Sequence, residues 1–190
     1  MTRIMRNHAT TFAMLCGAAS TAWGQAPTPA SAPPTLSPAT KLEAFKPSAG
    51  SVVTLGFTQL GSVSGVAVQT RELRDSKGSL VRGVLVEVTQ SQYREGQSFV
   101  DGDELPDLLK GIDALLEVKV NPTKLQEFEV RYLTKGELQI TAFSSRGQVR
   151  YAIEAGRGLK AQAFVDESSI RKLRAMIDTA KQQIASLSTP

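Results

Sequence analysis

The chain carries a copy of part of itself. FVDGDELPDLLKGIDAL, starting at Phe99, returns 65 residues later as FVDESSIRKLRAMIDTA, starting at Phe164, and the two align without a gap. Phe, Val and Asp match at the start; Leu105 then faces Ile170, Leu108 faces Leu173, and Ile112-Asp113 faces Ile177-Asp178. Upstream, SKGSL at Ser76 resembles SRGQV at Ser145, each a glycine-bearing turn between strand-like runs. Similarity at a fixed spacing marks a duplicated structural unit. The two copies run over about 50–118 and 126–187, so whatever fold one adopts the other must share.

Periodicity says what one unit is. In EFEVRYLT, Phe128, Val130 and Tyr132 alternate with Glu127, Glu129 and Arg131, the period-two pattern of a strand with one buried face. LQITAF, VRYAIE and KAQAFV supply three more strands, with turns at TKGE and SSRG whose glycines are expected to take positive φ. The first copy offers VVTLGFTQL, VSGVAVQTREL, SLVRGVLVEVTQS and REGQSFV. A helix closes each copy. Leu105, Leu108, Leu109, Ile112, Leu115 and Leu116 form one apolar stripe, and Ile170, Leu173, Ile177, Ala180, Ile184 and Leu187 form the other. The expected fold is α+β: a duplicated ββββα unit, two antiparallel sheets each followed by an amphipathic helix.

What precedes the repeats reads as an address and a tether. Arg3 and Arg6, a short apolar run, and Ala22 and Gly24 before Gln25 predict a signal peptide over 1–24. A lipid anchor on Cys16 is the alternative, although Leu15 stands where a small residue is wanted. Ala26 to Thr40 hold five of the nine prolines, so 25–41 read as a Pro/Ala-rich tether and 42–190 as a single globular domain. Cleavage would remove His8, Cys16 and Trp23, the only residues of their kinds. The remainder could run no Ser-His-Asp triad, no thiolate chemistry and no Cys/His zinc site, and it implies no cofactor. An exported chain without disulfides suits a Gram-negative periplasm, or secretion from such a cell, with no transmembrane span left after cleavage. Its balance falls to 20 basic against 18 acidic residues.

Asp101, Asp103, Glu104 and Asp107 are the densest candidate chemistry. They could be weak metal ligands, or the acid–base set of a carboxylate-dependent hydrolase. The alternative is structural: Asp103 as N-cap, Glu104 opening the helix, and Pro106 in the first turn, where no backbone N–H is missed. The second copy keeps Asp166 but replaces the rest with Glu167 and serines. Caps tolerate that exchange and ligands do not, so capping is the preferred reading.

Basic residues gather at Arg71, Arg74, Lys77 and Arg82, at Arg146, Arg150, Arg157 and Lys160, and along the last helix at Arg171, Lys172, Arg174 and Lys181. These could bind a polyanion, or simply be solvated turns, edges and a helix face. Phe57, Phe99, Phe128, Phe143, Phe164, Tyr93, Tyr132 and Tyr151 are expected mostly at core-facing strand positions, which leaves little for sugar or base stacking.

The order of four strands and a helix, repeated over about 50–187, resembles the Whirly and PUR-type single-strand nucleic-acid-binding proteins. That resemblance implies two sheets packed with a helix after each. It carries no functional residues, because the lysine- and glycine-rich strand of Whirly proteins is absent where this chain reads VSGVAVQT. FVDGDELPDLLKGID and YLTKGELQI are similar to phrases in bacterial exported proteins, which adds no chemistry. The resulting expectation is a non-enzymatic module of the cell envelope that binds a protein or envelope component. Export argues against nucleic acid as the partner.

Overall fold

The computed structural model describes residues 37–187; the expected signal peptide and the tether up to residue 36 lie outside them. The protein is α+β and built from a duplicated unit. A one-turn helix α1 (Lys41–Ala44) precedes the first sheet, the meander β1 (Val53–Val63), β2 (Val66–Asp75), β3 (Leu80–Ser91) and β4 (Arg94–Asp101), and helix α2 (Leu105–Leu116) follows. The second sheet repeats the order in β5 (Glu129–Leu133), β6 (Gln139–Ser145), β7 (Gln148–Ala155) and β8 (Ala161–Val165), followed by α3 (Glu167–Ser186). Every neighbouring pair is antiparallel. Among the described residues no helix is long and apolar enough to cross a membrane.

The aligned positions of the repeat do the same work. Leu105 and Ile170, Leu108 and Leu173, and Ile112 and Ile177 are all fully buried in one core. The helices, however, are exchanged. α3 lies on β1, β2 and β3 of the first sheet, α2 lies on β5 and β6 of the second, and the two helices touch. Thr70 in β2 accordingly donates to Gln183 Oε1 in α3 at 2.9 Å, and Ser64 meets Ser169 at 2.9 Å. Against β5, Gly111 of α2 leaves room for the Tyr132 ring, which a Cβ would approach to 2.3 Å. Each unit's helix lies mainly on the other unit's sheet, although α3 also touches β7 of its own.

Several local expectations are corrected. Helix α2 has Glu104, not Asp103, at its N-cap, with no side-chain hydrogen bond there. The turn between β1 and β2 falls at Ser64-Gly65, both at positive φ, so Val63 closes β1 and does not open β2. In TKGE the positive φ belongs to Glu137, held by its N–H donating to Thr134 O. Gly136 is required there for another reason: a Cβ would stand 1.9 Å from Phe99 O. The stripe of α3 ends early, with Ile184 half-buried and Leu187 exposed. Phe57, Tyr93 and Phe164 are exposed, against the expectation of core-facing aromatics.

Docking also begins before Leu42. Thr40 is buried and closes a capping box with Glu43 on α1, while Arg157 donates to Ser37 O at 2.6 Å and reaches Glu43 at 3.2 Å. The segment is captured because α1 brings Leu42 over β3, where only Gly83 leaves space for it.

Candidate functional site

The four clustered carboxylates do not converge. Asp101, 2% exposed, accepts the backbone N–H of Lys41 at 3.0 and 2.9 Å and that of Leu42 at 3.3 Å, so it caps α1 from across the sheet. Asp103 is exposed and pairs with Lys41 Nζ at 2.8 Å; that hydrogen bond holds its carboxyl below the usual range and raises the lysine. Glu104 accepts the Lys135 N–H at 2.9 Å through one oxygen, while its other oxygen is buried without a partner. Asp107 pairs with Lys110 one turn on. Asp101 and Asp103 clasp α1, Glu104 ties α2 to the turn before β6, and Asp107 is an exposed helix pair. Among the described residues no group of three or more His, Cys, Asp or Glu is placed to hold a metal ion.

Most of the basic residues are likewise engaged. Arg82 pairs with Glu72, Arg157 with Glu43 and Glu137, and Lys160 with Glu154. Arg171 pairs with Glu167 along α3. Arg174 bonds Asp113 through two nitrogens and so joins α3 to α2, which keeps Asp113 below the ordinary carboxylate range.

A different surface carries a groove. The outer face of the second sheet is set by register: Glu129 pairs Phe143, Arg131 pairs Thr141, Thr141 pairs Ala152, Ala152 pairs Phe164, and Gln162 lies beside Glu154. The rings of Phe143 and Phe164 meet edge to face with centroids 6.1 Å apart, and Phe164 is 70% exposed. Between this pair and the amides of Gln139 and Gln162 the floor is Thr141 and Ala152, too small to fill the space, which leaves a groove of about 210 Å³. Glu129 and Arg131 form an ion pair along its wall. The depression continues past the phenylalanines to Arg150, Ser145 and Asp166.

At the matching place of the first sheet lies α1, against β3 and β4. Phe99, the counterpart of Phe164, is half-buried, and Asp101 beside it is sealed by Lys41 and Leu42. At the equivalent position in the second copy, Asp166 is exposed and caps its own helix, accepting the Ser169 N–H at 2.8 Å. One duplicated aspartate thus clasps the N-terminal segment in the first copy and starts a helix in the second. Phe143 and Phe164 were not singled out as surface groups by sequence, yet one signal was available. In AQAFV, Phe164 shares a face with Gln162, opposite Ala161, Ala163 and Val165, which are buried.

No known protein family, no curated protein and no solved structure matches this chain, so its candidate site rests on its own geometry.

Proposed function

We propose that the protein is a non-enzymatic binding module of the bacterial cell envelope, exported by its N-terminal segment, and that the outer face of the second sheet takes a segment of a partner protein. The observation that supports this is the pair of half-buried Phe143 and exposed Phe164 beside a floor of Thr141 and Ala152. Aromatic side chains left in water beside a concavity are the anchors of interfaces, and arginine accompanies them. An apolar side chain of the partner would sit on Ala152, with Gln139, Gln162 and the Arg131–Glu129 pair offering polar contacts at the rim. Within the lining, the Thr141 hydroxyl accepts from the amide of Gln139 at 3.3 Å.

The test fills the floor. Ala152→Trp should melt like the parent and lose roughly tenfold or more in retention of a partner from envelope extract, the size expected for an interface anchor site. Equal retention by both forms would remove the groove from the function.

A further inference from the structure

Among the described residues, no strand pairs with the outer edge of β1 in the first sheet. β1 is exposed on both faces along Val53–Gln59, and from Pro47 to Thr70 the chain contains no charged residue. Sheet edges are ordinarily blunted by lysine, proline, a bulge or a covering segment. Here the one bulge, between Gln59 and Gly61, protects only the far end.

The orientation of the edge follows from its hydrogen bonds. The Val52 carbonyl accepts the Ser76 N–H at 2.9 Å and the Val52 N–H donates to Ser76 Oγ at 3.2 Å, so Val52 is turned toward β2. By strand alternation, Val53, Leu55, Phe57 and Gln59 present their main-chain N–H and C=O groups outward. The same residues carry side chains on the outer face, where Val53, Leu55 and Phe57 are 39, 47 and 65% exposed. Arg71 lies over the Phe57 ring at 5.4 Å and keeps it on that face. On the other face, Leu187 stands exposed beside Gly56 and Thr70.

We infer that β1 pairs antiparallel with β1 of a second copy of this chain, joining two first sheets into one. A second copy is the occupant that fits, because an uncharged strand is its own electrostatic complement and the free run is self-complementary. It is bounded by the strand start at Val53 and the bulge after Gln59, so its centre is Gly56. A twofold axis at Gly56 sets Val53 opposite the second copy's Gln59, Leu55 opposite Phe57, and Thr54 opposite Thr58. All outward-facing groups of the run then meet outward-facing groups, in about eight main-chain hydrogen bonds. Leu55 and Phe57 cover each other twice, and the two Gly56 residues meet as a non-hydrogen-bonded pair, the closer of the two antiparallel spacings. This surface is separate from the groove on the second sheet, so either can fail alone.

The register gives a sharp test. A Cβ at Gly56 meets nothing nearer than Glu72 Cβ at 3.7 Å, so cysteine fits there. In the full chain carrying Cys16→Ser, Gly56→Cys should form a disulfide-linked dimer under mild oxidation, since directly opposed non-hydrogen-bonded pairs suit disulfide geometry. Thr54→Cys and Thr58→Cys should each stay unlinked alone and link when mixed. By sedimentation equilibrium the Cys16→Ser parent should be dimeric, and the double change Leu55→Lys, Phe57→Lys monomeric with the parent's far-UV circular dichroism, its melting temperature no longer rising with protein concentration as the parent's does. A monomeric parent, or a dimer in which Gly56→Cys links no better than Thr54→Cys, would overturn the pairing.

Discussion

Asp101 and Asp103 stand two residues apart and differ in what they hold. The carboxylate of Asp101 is buried and satisfies the backbone N–H groups of Lys41 and Leu42. Asp103 makes an exposed pair with a lysine side chain. Removing the first leaves buried donors unmet, whereas removing the second breaks an ion pair that water screens. Asp101→Ala should therefore cost about 1–3 kcal/mol, and Asp103→Ala within about 0.5 kcal/mol, in chemical denaturation. Sequence alone pointed the other way, expecting Asp103 to cap the helix. Local spacing cannot reveal a cap supplied to a segment 60 residues distant, and the partner of Asp101 became legible only once α1 was placed. Phe164 was hidden for another reason: its alternation with Ala163 and Val165 was readable, but aromatics on strands were expected mostly to face the core.

At the scale of elements the reading was more complete, because a strand or helix declares itself by its own period. Eight strands, two long helices and their buried stripes follow from alternation and from three- and four-residue steps. What periodicity lacks is the identity of the facing surface, so the exchange of α2 and α3 between the sheets was not legible. Caps and junctions of these elements should also set the acid response. Asp166 is held below its ordinary range by hydrogen bonds from Ser169 and Ser168, Asp113 by Arg174, and Asp75 by the N–H groups of Ser79 and Lys77 in the turn before β3. Each is lowered on folding, so each contributes stability above the unfolded carboxylate pKa of about 4, and that stability is lost as pH falls toward the folded value. The melting temperature should hold from pH 7 to 5 and drop below about pH 4. Asp166→Asn, which keeps an acceptor at the N-cap, should soften the drop. A variant with the same acid profile as the parent would show that the Asp166 carboxylate does not contribute to it.

The whole molecule is a duplication made unequal by its N-terminal segment. Two similar units close one core by trading helices, and the residues before β1 then cover the outer face of the first sheet beside Phe99. Among the described residues the second sheet has no such cover, and its Phe143–Phe164 groove is where we propose that a partner docks. The duplicated sequence predicts symmetry; function is proposed where the symmetry breaks. Gln97 and Gln162 occupy equivalent, outward-facing positions of the two copies, one on each sheet. A photoreactive residue placed at each in turn, in cells expressing the full chain, compares the two faces directly. A discrete protein adduct is expected from position 162 and none from position 97, with the adduct lost on adding Ala152→Trp. Equal labelling from both positions, or an adduct from 97 alone, would contradict that expectation.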